Sequence, residues 1–384
     1  MSRRAIILSV FLTHAVAGCG IFPRIPDIQS RLGLEESVLG IALTLGAVGG
    51  LLANLVAGRV VGALGTRAIL VWGLPALAAL SALAAMAPNV AALFAAMLAM
   101  GVAFSLVNVA MNVEADRVEA ATGRRVMNRC HAVWSGGVLL AALVGVGARA
   151  AGIAPGPHLL VFVPPALLMT LALVRRMEPC PVPPGDRTRR PGIALPSRRT
   201  VLLVLFGLSG SVAQSAVQNW SVIFMRDMFL APVWLETLSL PAYLVAMTAG
   251  RVFADGWTER FGPVRVAAGQ TWVAILGAVV VATAPGPGIA LLGFAFLGLG
   301  TAALFPLMVS AAARSGERSA AEAVSAVILS MGAVMLVVPA AIGWIAEGWG
   351  LRTAFSLLLP AMGLTLLLAR IVAARPAGKA VPAG

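Results

Sequence analysis

The chain has 384 residues, 60% of them apolar and 11% charged, where an ordinary soluble domain is about a quarter charged. This excludes a water-soluble enzyme or binding domain. The net charge of +13 does not point to nucleic acid, because the basic residues form no module interleaved with exposed aromatics.

A bilayer-spanning helix needs about 20 mostly apolar residues. Apolar runs bounded by charge, Pro and Gly predict twelve of them, at 5–23, 37–58, 68–87, 90–113, 129–148, 158–174, 200–225, 236–254, 264–284, 288–312, 322–343 and 352–372. The expected fold class is all-α and membrane-integral, twelve transmembrane helices in two six-helix pseudo-repeats. The expected domains are an N-terminal bundle at 1–174, a cytoplasmic Arg/Pro-rich linker at 175–199, a C-terminal bundle at 200–372 and a cytoplasmic tail at 373–384.

The first run carries a second reading. Ser2-Arg3-Arg4, an apolar stretch and Val16-Ala17-Gly18-Cys19 resemble a lipoprotein signal ending in a lipidated Cys. Cleavage before Cys19 would remove most of the first helix from a pattern that closes at twelve, so a retained membrane helix is expected. Cys19, Cys130 and Cys180 give no pair or metal-ligand spacing.

Charge sets the orientation. With the N-terminus in the cytoplasm, about 23 of the 28 Arg and Lys fall on cytoplasmic segments, leaving Arg24, Arg31, Arg149, Arg226 and Arg352 outside. An N-in, C-in protein of the bacterial inner membrane is expected. The linker carries Arg175, Arg176, Arg187, Arg189, Arg190, Arg198 and Arg199 among six prolines, a composition that sets topology and spacing.

An internal repeat supports the division into halves. Ala57-Gly58-Arg59-Val60 recurs as Ala249-Gly250-Arg251-Val252, and Gly101, Ala103 and Phe104 recur as Gly293, Ala295 and Phe296, both at an offset of 192, which Gly18 and Gly210 share. Parallel six-helix repeats are one transporter architecture.

The loop after the second helix reads Gly58-Arg-Val-Val-Gly-Ala-Leu-Gly65-Thr-Arg67, and that after the eighth Asp255-Gly-Trp-Thr-Glu259-Arg260-Phe-Gly262. These loops resemble the cytoplasmic loop motif of the major facilitator superfamily, in which glycines allow a tight turn and an acid–Arg pair can lock one face. The second copy keeps Glu259 and Arg260; the first has Gly62 and Ala63 there. A closer resemblance is to a bacterial branch near the fucose-type sugar permeases, carried by Arg24-Ile-Pro26, Asn108-Val-Ala-Met-Asn112-Val, His131-Ala-Val-Trp134-Ser135, Asn219-Trp220, Phe305-Pro306 and Gly350-Leu-Arg352. It implies a transporter and no enzyme. That branch usually has an acid at the position of Asn108 and often at those of Gln214 and Asn219. Amides cannot gain and lose a proton as a carboxylate does, so proton coupling through these positions does not carry over.

The expected substrate-binding residues are Arg24, Asn108, Asn112, His131, Trp134, Gln214, Gln218, Asn219 and Trp220. On the seventh predicted helix Ser211, Gln214, Gln218 and Ser221 share a face. Asn108 and Asn112 stack one turn apart, as do His131 and Ser135. Amides donate and accept toward hydroxyl- or carbonyl-bearing solutes, while Trp134 or Trp220 can cover a flat or sugar-like face. The plain alternative is that these groups bind helix to helix, or, for Arg24, that it pairs with Asp27. His14 and His131 either titrate or donate a hydrogen bond. Arg59, Arg251, Glu259, Arg260, Glu114 and Asp116 are candidate gate residues, with solvated helix-end charge as the plain reading.

Gly298-Leu-Gly300 lies in an apolar run with no preceding strand, so it reads as helix packing. No cofactor or metal is expected, and the expected partners are a small-molecule substrate and membrane lipid, the chain acting as a monomer without nucleic acid. The leading function is secondary transport of a sugar, cyclitol or vitamin-like solute by alternating access, in the direction of uptake. A metabolite or drug exporter and a non-transporting membrane sensor or scaffold are the alternatives.

Overall fold

A computed structural model describes residues 2–123, 126–172, 174–176, 196–315 and 320–373. Most of the linker expected at 175–199, Cys180 within it, and nearly all of the tail at 373–384 lie outside the described residues. Among those described, every regular element is a helix.

Among the described residues, eleven helices are long and apolar enough to cross a membrane: α1 Arg3–Leu32, α2 Glu36–Met86, α3 Val90–Thr122, α4 Arg129–Ala150, α5 Pro155–Ala172, α6 Arg198–Phe229, α7 Val233–Phe261, α8 Pro263–Thr283, α9 Pro287–Ala313, α10 Glu322–Trp349 and α11 Leu351–Val372. Their outward surface is apolar, with Leu55, Trp72, Leu168, Trp272 and Leu367 all exposed, as a hydrocarbon environment requires once backbone groups are satisfied within helices.

Proline places the breaks. Its ring clashes with the carbonyl four residues back and it lacks an N–H. The helical path is interrupted at Val161–Phe162 before Pro164 and Pro165, at Ala302–Ala303 before Pro306, at Leu336–Val337 before Pro339, and at Leu357 before Pro360. Within α1 a 3₁₀ turn, Phe22–Arg24, precedes Pro26.

The 51 residues of α2 would measure about 76 Å if straight, far more than the roughly 30 Å hydrocarbon core. The segment is not straight, since Gly65 has φ 77° and ψ 153°. Packing shows that the chain folds back there. Gly46 abuts Gly101, and Gly73 abuts Val107. Positions 46 and 73 would be about 40 Å apart in an unbroken helix, whereas 101 and 107 are about 9 Å apart. Both arms of α2 therefore lie along one stretch of α3.

The chain divides into two packing units. The first comprises Met1–Arg189, Gln218–Pro241 and Leu336–Leu351, around a core that includes Ile7, Phe11, Leu70, Leu74, Val107 and Met111. Segments late in the sequence thus pack with its first half. The second comprises Arg190–Val217, Ala242–Met335 and Arg352–Gly384, around Phe206, Ala267, Leu304, Met308, Val327 and Met331.

The sequence repeat corresponds to packing in part. Gly18 lies against Phe104 of α3, and Gly210 against Leu304 of α9, so this pair meets corresponding helices in its two units. Gly101 and Gly293 both sit where a Cβ would strike a neighbouring backbone, but Gly101 faces the first arm of α2 and Gly293 faces α8. In the second unit it is Gly298 of α9, beneath the Tyr243 carbonyl of α7, that makes the approach Gly101 makes in the first.

Candidate solute site and gates

In the first unit, polar groups from α1, α3 and α4 converge. Trp134 Nε1 donates to His14 Nδ1 at 3.1 Å, and His14 Nε2 meets the Phe104 carbonyl at 3.1 Å. An indole N–H only donates and a carbonyl only accepts, so His14 is the neutral Nε2–H tautomer with both nitrogens satisfied. It is fully buried and tilted against the Phe104 ring at 4.2 Å. His14 thereby holds Trp134, a role the sequence did not disclose across 120 residues.

One turn below Phe104, Asn112 Nδ2 donates to the Asn108 carbonyl at 2.8 Å and to Asn108 Oδ1 at 3.1 Å. Among the described residues Asn112 Oδ1 and the Asn108 amide hydrogens have no hydrogen-bond partner, and both residues are half-buried. His131 is exposed and stands edge-on to Phe11, with ring centroids 5.6 Å apart. Ser135 turns its hydroxyl back to the His131 carbonyl at 3.0 Å. The fourth and fifth predicted helices thus supply donors and acceptors without formal charge.

On α6, Gln214, Gln218 and Asn219 are half-buried. Ser211 bonds back to Gly207 O at 3.2 Å, and Ser221 accepts from Ser239 at 3.0 Å. Trp220 is fully buried, packed on Gly343 of α10. In this structure it is a packing residue and presents no face to a solute.

The loop copies share a backbone. Gly65 has φ 77° and ψ 153°, and Gly262 has φ 81° and ψ 155°. In this left-handed region a Cβ is strained, so the two glycines are the conformational core of the motif. The charge chemistry differs between copies. In the first, Glu114, fully buried, accepts from Thr66 Oγ1 at 2.7 Å and has Arg117 at 3.8 Å. In the second, Glu259 and Arg260 are exposed, and Arg260 lies over the Phe261 ring at 5.2 Å. Among the described residues they form no ion pair. Arg251 Nε reaches the Ala302 carbonyl at 3.4 Å, while Arg59 and Asp116 are exposed.

Sequence reasoning missed the densest charged cluster among the described residues, which forms where other helix ends meet. Arg149 binds both oxygens of Asp27, Nε at 3.1 and 3.2 Å and Nη2 at 3.0 Å. Its Nη1 donates to Thr237 Oγ1 at 2.7 Å and to Glu236 Oε2 at 3.4 Å. Arg24, 1% exposed, pairs with Asp27 at 3.2 Å and also bonds the Ile153 carbonyl. It is thus held in an ion pair here rather than lining an open cavity. The Arg24–Asp27 spacing was legible; the arrival of Arg149 and Glu236 was not.

Residues 6–250 match the Major Facilitator Superfamily profile. An uncharacterized transporter of Sinorhizobium fredii is 27% identical, the alignment covering 91% of this chain and 92% of that protein. The crystal structure of a nucleoside transporter superposes with a TM-score of 0.71 at 15% identity, over 97% of this chain and 98% of the other. That of the E. coli fucose:proton symporter does so with a TM-score of 0.64 at 17% identity, over 96% and 98%. At those identities the two structures establish the fold.

Proposed function

Since this chain belongs to the major facilitator superfamily, and is therefore a multi-pass transporter of the bacterial inner membrane, we propose that it takes up a small polar solute of sugar, cyclitol or vitamin-like chemistry by alternating access. The observation that carries the reading is the uncharged polar set: Asn108 and Asn112 with unspent hydrogen-bonding groups, half-buried Gln214, Gln218 and Asn219, and Trp134 locked by His14. Amides recognise hydroxyls and carbonyls in both senses, and an aromatic held by a buried hydrogen bond presents a fixed apolar face. A broad exporter of apolar compounds calls for a more aromatic cavity lining. The nucleoside and fucose carried by the two structural neighbours are hydroxyl-rich solutes, which agrees with this chemistry. The positive-inside bias orients the protein N-in and C-in.

Solute flux into proteoliposomes of the purified chain tests this. Uptake of a labelled sugar, cyclitol or vitamin from a panel is expected, and it falls at least about tenfold in an Asn108→Ala, Gln214→Ala double variant, as the loss of two polar contacts requires. Binding without flux sinks the reading in favour of a sensor. Movement of apolar drugs alone sinks it in favour of an exporter.

A further inference from the structure

The Arg149 cluster belongs neither to the uncharged solute set nor to the loop motifs. It joins the end of α1 and the end of α4 to the first turn of α7, all within the first packing unit. Parallel contacts draw in other late segments of the sequence. Arg226, near the end of α6, donates to Pro26 O at 3.1 Å, Ser30 Oγ at 2.9 Å and Gln29 Oε1 at 2.9 Å. Glu347 on α10 accepts from Ser37 N at 3.0 Å in the first turn of α2, where a carboxylate suits the helix dipole. In an N-in protein these ends face the periplasm.

The two carboxylates on Arg149 are held unequally. Asp27 takes a forked bond from Arg149 and a second cation, Arg24, at 3.2 Å. Glu236, 5% exposed, receives one long contact at 3.4 Å. Arg149, Arg226 and Asp27 are the charged groups facing Glu236, and Arg226 spends its bonds on Asp227, Gln29, Ser30 and Pro26. Behind Asp27 lie Arg24 and the buried imidazole of His158. On α7 itself, Thr237 shares the Arg149 contact and Ser239 bonds the Glu236 carbonyl at 3.0 Å.

We propose that Arg149, gripped between Asp27 and Glu236, is the clasp of a periplasmic gate, and that a proton bound by Glu236 releases it. With Glu236 charged, two guanidinium groups, Arg24 and Arg149, face two carboxylates. A proton from the aqueous phase on one Glu236 oxygen leaves both arginines sharing Asp27, and the bond to α7 loses its charge. The proton leaves again when the gate recloses. A buried pair that loses one charge is weakened, and Arg149, still paired with Asp27, is then tied to α7 by neutral contacts alone, that to Thr237 Oγ1 among them. The clasp thus gives this chain a protonatable group that the amides Asn108, Gln214 and Asn219 are not. The proposal rests on the transporter reading for its purpose, but the gate can be measured without any solute.

The test is a spin-label distance between Ile153→Cys and Trp234→Cys, both at exposed positions (45% and 49%), in the full chain with Cys19, Cys130 and Cys180 changed to Ser, reconstituted in liposomes. The expected result is one short distance at mildly alkaline pH and a growing longer population at acidic pH. Glu236→Gln shows the longer population at both pH values, whereas Asp27→Asn keeps a pH response. Glu236→Asp, which retains a shortened carboxylate, keeps the response with a moved midpoint and serves where the Gln variant does not fold. A single distance at every pH overturns the proposal. So does a response that survives in Glu236→Gln, has an unmoved midpoint in Glu236→Asp, or disappears in Asp27→Asn.

Discussion

A guanidinium on the translocated side of a membrane runs against the positive-inside bias and is costly where it is buried in apolar surroundings. The five arginines that an N-in orientation would leave on that side all have partners. Arg24 and Arg149 meet carboxylates, and Arg226 meets Asp227 and the polar groups of α1. Arg31 bonds Ala85 O at 3.0 Å, and Arg352 bonds Ala282 O and Ala284 O at 2.7 and 2.8 Å. The last two therefore neutralise the carbonyl ends of α2 and α8, where a cation complements the helix dipole. Buried neutral groups obey the same accounting. Trp134→Phe removes the donor to His14 Nδ1 and leaves that nitrogen buried and unpaired, which costs about 1–3 kcal/mol. The expected outcome is a lower apparent unfolding temperature of the detergent-purified protein. Repeating the change in a His14→Leu background should abolish most of the loss; an undiminished loss would mean that the indole ring, and not its N–H, supplies the stability.

At the scale of the element, helix existence was legible and helix endings were not. Each of the eleven long apolar helices among the described residues overlaps at least one run predicted from hydropathy, because hydrocarbon demands runs of about 20 apolar residues. Boundaries moved where charge and proline compete. The eleventh predicted helix, 322–343, extends to Trp349, carrying Glu347 to its contact with Ser37. Approach between helices was only half visible, since small residues advertise that something packs closely without saying what. Gly101 and Gly293 match in sequence and differ in neighbour. A Cβ on Gly101 would overlap the Gly46 carbonyl, so Gly101→Ala must force α2 from α3 and is expected to cost about 1–3 kcal/mol or more. Gly269, in α8, has nothing within 4 Å of such a Cβ. There Ala should be neutral or stabilising by up to about 1 kcal/mol, because it restores helix propensity. Apparent unfolding temperatures of the two variants should therefore move in opposite senses or, at the least, differ clearly; equal losses would sink the packing argument.

For the molecule as a whole, the sequence pointed correctly to a membrane transporter of this superfamily, while the long-range polar contacts were beyond it. Arg149 and Glu236 are 87 positions apart and no periodicity links them. Trp134 and His14 stood in separate predicted helices with separate roles. Charge sign alone favoured the loop motifs as gates, yet the cluster with buried, multiply bonded ions sits at other helix ends. The same physics decides how often the chain crosses the bilayer. The two arms of α2, 36–64 and 66–86, both contact one short stretch of α3; counting each as a crossing would turn the eleven apolar helices of the described residues into twelve passes, which the positive-inside bias would arrange with both termini inside. Reporter fusions test this directly. A periplasm-dependent phosphatase joined after Asn89 should be active, and one joined after Gly65 or Arg370 inactive. A fluorescent protein that requires the cytoplasm should show the reverse pattern. Phosphatase activity after Gly65 would mean that the first arm does not cross alone, and activity after Arg370 would leave an odd number of passes.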